Sequence, residues 1–117
     1  MKPEINITHE QKLISSTFTG VMSSVDMYNY FETFMMEIPD GGGYHEVVDF
    51  TKVNDFEINY SDFLLFSTKA VEVFSSKRVT TTEFIVSNNL QLGMARMFST
   101  MANEDGIEFI FTKKDWT

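Results

Sequence analysis

Residues 78–111 read RVTTTEFIVSNNLQLGMARMFSTMANEDGIEFIF, and their pattern decides the fold class. Arg78 to Ser87 are rich in threonine and end in the apolar run Phe84-Ile85-Val86. Such a run predicts a strand covered on both faces. Asn88-Asn89 come next, and short amide side chains satisfy the free N–H groups at a helix start. Leu90, Met94, Met97, Phe98 and Met101 then recur at helical spacing and predict the inward face of a helix. Gly106 breaks it, and Ile107, Phe109 and Phe111 recur at every second position, as in a strand. Strand, helix and strand in that order form a βαβ unit, whose two strands run parallel.

The same reading extends upstream. Ile5 and Ile7, then Ile14 and Phe18, alternate with polar neighbours and predict a hairpin with strands at about 4–8 and 13–19, closed at Gly20. Ser23 with Asp26 three residues on is a capping-box variant. Val25, Tyr28, Phe31, Met35 and Ile38 follow as one helix face, which ends at Pro39-Asp40-Gly41-Gly42-Gly43. Tyr44 to Thr51 read as a strand through Val47, Val48 and Phe50. Asn59 and Asp62 open a second helix to about Lys77, with Phe63, Phe66, Ala70 and Phe74 inward. Lys113 to Thr117 read as the start of one more helical turn. The order β-β-α-β-α-β-α-β predicts an α/β fold: a mostly parallel sheet with an antiparallel edge hairpin and helices packed against it. Crossovers are expected to be right-handed. Residues 1–117 read as a single domain, with Phe50, Phe84, Ile85, Val86, Met94, Phe98, Ile107 and Phe109 as core.

Composition narrows the function. Hydrophobic residues make up 43% of the 117, too many for a disordered chain. There is no cysteine, which removes disulfides, thiolate nucleophiles and zinc sites built on sulfur. Nine Lys and Arg against seventeen Asp and Glu give a net charge of −8. An acidic surface repels phosphate backbones and anionic headgroups, so no nucleic acid is expected as a partner. Apolar runs reach about four residues, as in Phe63-Leu64-Leu65-Phe66, so no membrane insertion is expected. The N-terminus lacks the apolar centre of a secretory signal, and a cytoplasmic location is the expectation.

No catalytic constellation is legible. Nucleophilic catalysis needs a nucleophile, a base and an orienting group that converge. This chain has two histidines and no Gly-x-Ser-x-Gly elbow. His9 reads as an exposed turn residue. His45 and Asp49 share a strand face, as a two-ligand metal site or a base with its carboxylate would, while Glu46 points the other way. Two ligands do not make a site, so neither catalytic nor metal residues are assigned, and no cofactor is implied. Gly41-Gly42-Gly43 follows a helix and opens a strand, the reverse of a phosphate loop. Met35, Met36, Met94, Met97 and Met101 read as core, or as the lining of an adaptable apolar pocket.

The position of the polar turns is more informative. In a parallel α/β sheet all βα turns lie along one edge. Here they hold Ser23 and Ser24, then Asn59, Tyr60 and Ser61, then Ser87, Asn88 and Asn89. These residues form a candidate interaction rim. Capping accounts for one polar residue per turn; the others read either as ordinary polar loop residues or as contacts for a partner.

Val47-Val48-Asp49-Phe50-Thr51-Lys52-Val53 and Leu92-Gly93-Met94-Ala95-Arg96-Met97-Phe98 carry a resemblance across nearly the whole chain. It resembles the STAS domain family, the fold of bacterial anti-sigma-factor antagonists, and most of all its SpoIIAA-like branch. That branch is distantly similar to Sec14-type lipid-binding domains. The resemblance implies a bacterial, non-catalytic regulatory or protein-interaction module with an unidentified protein partner. The Sec14-like similarity implies, as the alternative, a small apolar or amphipathic ligand in a helix-lined pocket. Phosphorylatable members carry an Asp-Ser-Ser-Gly-type turn at helix two, where this chain has Asp55-Phe56-Glu57-Ile58-Asn59-Tyr60-Ser61-Asp62. Ser61 is the candidate phosphoacceptor, without the serine pair or the glycine. The resemblance leaves the oligomeric state open, a homodimer included, and the final helix usual in this branch is expected to be truncated after Trp116. A closed cavity favours the ligand reading. A packed core with an exposed apolar patch beside helix two favours the interaction reading.

Overall fold

Among the described residues, five segments form strands, all but the last with burial of mostly period two, and three with helical spacing form helices. The computed structural model describes residues 3–101 and 106–116. In chain order the elements are β1 (Glu4–Thr8), β2 (Leu13–Ser23), α1 (Ser24–Glu37), β3 (Tyr44–Glu57), α2 (Tyr60–Ser75), β4 (Val79–Val86), α3 (Asn89–Met101) and β5 (Glu108–Lys113). The strands make one sheet in the order β1-β2-β3-β4-β5. β1 pairs antiparallel with β2, with Glu4 opposite Thr17 and Thr8 opposite Leu13. Every later pair is parallel.

The sheet grows in one direction from β2 to β5. Crossovers of a single hand then put all three helices on the same face. Burial follows that rule. Ile14, Ser16 and Phe18 on β2, Glu46, Val48 and Phe50 on β3, and Thr82, Phe84 and Val86 on β4 are buried. Their neighbours Ser15, Val47, Asp49 and Ile85 look out from the opposite face and stay partly or fully exposed. The expectation of a β4 covered on both sides is therefore corrected, and Ile85 is only half-buried. Phe50 lies at the centre of the core. Its ring meets Phe18, Phe56, Phe84 and Phe98 edge-on or tilted, at centroid distances of 6.0, 5.4, 5.6 and 6.0 Å. Such aromatic pairs add to the stabilisation from area burial alone.

Several sequence expectations shift by a turn or a face. Gly20 does not close β2. It has φ of 86°, and the register with β3 shifts between Thr17 and Thr19 and again between Gly20 and Val21. A glycine at positive φ lets a strand bulge and continue. β2 thus runs to Ser23 and β3 to Glu57, six residues beyond Thr51, with Val21 opposite Asp55 and Ser23 opposite Glu57.

On α1 the buried stripe is Met27, Tyr30, Phe31, Phe34 and Ile38, whereas Val25 is exposed. Two stripes of equal periodicity compete here, and the one with three aromatic rings buries more area. On α3 the buried face is Gln91, Leu92, Ala95 and Phe98. Hydrogen bonds pin Gln91 inward, so Leu90 turns out to solvent and Met94, Met97 and Met101 sit at the edge of the core. Ile107 and Phe109 are likewise half-buried, because β5 has no further strand beside it. The expected last turn is not helical up to Trp116. Lys114 N donates to Val86 O at 2.8 Å, and Lys113 Nζ lies 4.8 Å from the centroid of Trp116. Thr117 lies outside the described residues.

Phe98 touches both Phe50 and Phe66 at ring distances of 6.0 and 5.9 Å. Phe98→Ala is expected to cost roughly 3–5 kcal/mol in urea unfolding, from lost transfer energy plus the cavity. Ile85→Ala on the open face should cost only about 1 kcal/mol. Equal losses at the two sites would contradict the one-sided sheet.

Candidate interaction surface at the second helix

Each helix begins where a parallel strand ends, so the three N-termini share one edge of the sheet. At α1, Asp26 N donates to Ser23 Oγ at 3.3 Å, and Ser23 N donates to Asp26 Oδ2 at 2.8 Å, completing a capping box. At α2, Asp62 N donates to Asn59 Oδ1 at 2.9 Å, and Asn59 Nδ2 donates to Asp62 Oδ2 at 2.8 Å. At α3, Gln91 N donates to Asn88 Oδ1 at 2.9 Å. Ser23, Asn59 and Asn88 are thus occupied as caps, as their spacing predicts.

Gln91 is a residue that the sequence reading missed. Ser87 N and Ser87 Oγ donate to Gln91 Oε1 at 2.7 and 3.1 Å, and Gln91 Nε2 donates to Val53 O at 3.0 Å. One buried amide therefore ties the β4–α3 turn to β3. A glutamine beside small polar residues gives no pattern by which to find it. Ser24 is buried, and its Oγ has no hydrogen-bond partner. Of the eight rim residues, that leaves Tyr60, Ser61 and Asn89 exposed, with no side-chain hydrogen bond among the described residues.

Beside this remnant α2 presents an apolar outer surface. Tyr60 is 77% exposed, Leu64 51% and Leu65 64%, and Val71 continues the line of Tyr60 and Leu64. Spacings of four and seven place Tyr60, Leu64 and Val71 on one stripe. The stripe makes α2 a candidate docking surface.

Among the described residues, the interior beneath the helices is nearly filled. The space lined by Phe18, Tyr30, Glu46, Phe50, Thr82 and Phe98, among others, amounts to about 20 Å³, room for one water. Glu46 is buried there. Tyr30 Oη lies 2.5 Å from Glu46 Oε2 and 2.7 Å from Ser16 Oγ, and Thr82 Oγ1 donates to Glu46 Oε1 at 2.9 Å. Burial raises the Glu46 carboxyl to about 7, against the opposing hydrogen bonds from Tyr30 and Thr82. The Tyr30 hydroxyl is pushed well up, first by burial and then by the Glu46 charge beside it. Its single proton faces two acceptors. With Glu46 neutral every group is satisfied: the carboxyl donates to Tyr30, and Tyr30 donates to Ser16.

A crystal structure of an uncharacterised protein of the DUF3478 family from Shewanella loihica PV-4, described as having a SpoIIAA-like fold, aligns with this architecture. The TM-score is 0.59 at 17% identity, over 94% of this chain and 85% of that one. This chain has a SpoIIAA-like fold. No family model and no curated protein matches it.

On this SpoIIAA-like fold Ser61 stands in the first turn of α2, exposed, while Asp55 to Glu57 belong to β3 rather than to an open turn. The other expected groups do not assemble. Asp49 Oδ1 accepts from Thr51 N and Thr51 Oγ1 at 2.8 and 2.6 Å, and the nearest acid to His45 is Glu83, with Nε2 and Oε1 4.0 Å apart. Among the described residues no three His, Asp or Glu side chains are placed to hold a metal. His9 is exposed as expected, and its Nδ1 lies 2.6 Å from the buried Tyr44 hydroxyl. Gly41 and Gly43 donate to Ser76 O and Lys77 O, so the glycine run docks on the α2–β4 turn. The five methionines do not share one pocket. Met36 is 81% exposed on α1, whereas Met94 and Met97 line an open groove beside α3. No helix among the described residues is long and apolar enough to cross a membrane.

The buried carboxyl makes stability depend on pH. Its folded value of about 7 lies above the ordinary 4.5, so between these two the folded chain holds a proton that the unfolded chain has released. Stability is therefore full below pH 4.5 and falls as pH rises through about 7, by roughly 3 kcal/mol in all. Glu46→Gln mimics the neutral acid. It should flatten the wild-type decline between about pH 5 and 8 and leave the variant the more stable of the two at pH 8. Parallel unfolding curves for the two proteins would contradict this protonation state.

Proposed function

We propose that this chain is a non-catalytic protein-interaction module of STAS type, acting in the bacterial cytoplasm and engaging its partner through α2 and the adjoining βα rim. The observation that carries the proposal is the pairing of an exposed apolar stripe on α2 with a core whose space beneath the helices, among the described residues, is only about 20 Å³. A ligand of lipid size needs a few hundred cubic ångströms of enclosed volume, roughly ten times more. The helix N-termini supply aligned amides at the rim, and Tyr60, Ser61 and Asn89 supply uncommitted polar atoms beside the apolar stripe. The acidic balance of −8 disfavours nucleic acid as the partner. We propose further that the surface is constitutive. Tyr60 stands directly before Ser61 and no glycine opens the turn, so intact-mass analysis from the native host should find no stoichiometric phosphate on Ser61.

The test is quantitative affinity purification from the native host, with wild type beside Leu64→Asp/Leu65→Asp and beside Tyr60→Ala/Ser61→Ala/Asn89→Ala. Proteins recovered with wild type and depleted at least fivefold in both variants are the expected result. Identical protein recovery in all three would sink the assignment. A co-purifying small apolar molecule in native mass spectra would replace it with the ligand-binding alternative.

A further inference from the structure

The groove between α2 and α3 is the feature that the proposed function leaves unexplained. Its rim end is formed by Ile58, Tyr60, Phe63, Met94 and Met97, and its far end by Phe63, Val71, Gly93, Arg96 and Met97. Phe63 and Met97 belong to both ends, so the two are one continuous channel. The rim end alone amounts to about 520 Å³ and is open to solvent rather than enclosed. From Asn59 to Val71 the wall on α2 runs about 18 Å, or three helical turns.

Two details say what fits. Gly93 stands inside the continuous helix α3, where glycine costs about 1 kcal/mol relative to alanine. Nothing among the described residues requires it, because a Cβ there would meet none of their atoms within 4 Å. The missing side chain instead keeps the α3 wall low. Arg96 is the only charged side chain among the described residues that line the groove, and it is exposed. In a chain with seventeen acids, no carboxylate among the described residues pairs with its guanidinium. An arginine fork is built for bidentate contact with a carboxylate. A second copy of this chain is a poor occupant, since each copy carries −8.

Resting on the interaction reading above, we propose that the α2–α3 groove receives an amphipathic helix of a partner protein. The helix places apolar side chains over Phe63, Met94 and Met97, crosses α3 closely at Gly93, and pairs one carboxylate with Arg96. Methionines on the floor suit such a groove, because their flexible thioethers adapt to different apolar shapes.

The probe is a fluorescein-labelled, helix-stapled peptide of about 14 residues, with leucines at helical spacing and a single central glutamate. A second peptide has lysine in place of the glutamate. In fluorescence anisotropy, wild type should bind the glutamate peptide at least tenfold more tightly than the lysine peptide. Arg96→Glu should invert that preference. Gly93→Trp, which fills the groove from an exposed helix position, should weaken both at least tenfold with circular dichroism unchanged. Unchanged binding in Gly93→Trp, or the same peptide preference in wild type and Arg96→Glu, would overturn the groove assignment. So would no saturable binding of either peptide, or concentration-dependent dimerisation of wild type that Gly93→Trp abolishes. These results are independent of the α2 purification test. If the native partner is lost in the Leu64/Leu65 variant but peptide binding ignores Gly93, the module stands and the groove falls. If peptide binding follows Gly93 and Arg96 but no native protein depends on the α2 stripe, the groove stands and the rim reading falls.

Discussion

One constraint organises this molecule: from β2 to β5 each parallel strand is added on the same side of the last. A single crossover hand then leaves no choice about the helices, which must share one face. That face carries the whole aromatic core, with Phe50 in contact with rings from β2, β4 and α3. Losing the shared face would uncover Phe18, Phe50, Phe84 and Phe98 together. The same constraint aligns the starts of α1, α2 and α3 along one edge. It also makes α2 the middle helix, packed on α1 while facing α3 across a groove.

What the surface can do follows from which groups the fold has already used. Caps consume Ser23, Asn59 and Asn88, and Gln91 consumes Ser87. The remaining polar atoms at the edge belong to Tyr60, Ser61 and Asn89, immediately beside the leucines of α2. A polar rim next to an apolar patch is the usual make-up of a protein interface. The interior has its own polar group, but Glu46 is sealed under Tyr30 and Thr82 and reaches no substrate-sized space. Its chemistry is that of stability, through a proton retained in a low-dielectric core.

Much of the fold was legible because capping and periodicity are local signals. Ser23 with Asp26, Asn59 with Asp62 and the Asn88 turn each place a helix start within a residue. The faces were less legible. The stripe through Val25 and that through Met27 on α1 have the same spacing, and only packing against the sheet decides between them. On α3 the deciding force was a side-chain hydrogen bond to Val53 O, a contact across 38 residues that no window can contain. The length of β3 was hidden for a similar reason. Residues Lys52 to Glu57 are polar enough to read as a loop, and they become strand because Thr19 to Ser23 pair with them. Glu46 was read correctly as pointing away from His45, but its burial depends on Tyr30 and Thr82 arriving from two other elements. The rim was legible as a set of positions. Which of its residues stay uncommitted required the hydrogen bonds.

The central claim is that the exposed face of α2, and not the interior or the open face of the sheet, meets another protein. Site-specific photocrosslinking in the native host tests it most directly, with a photoreactive residue at Leu64 in one strain and at Ser15, on the opposite face, in another. The account predicts a discrete protein adduct at position 64 and none at position 15. An adduct at position 15 alone, or no protein adduct at position 64, would contradict it.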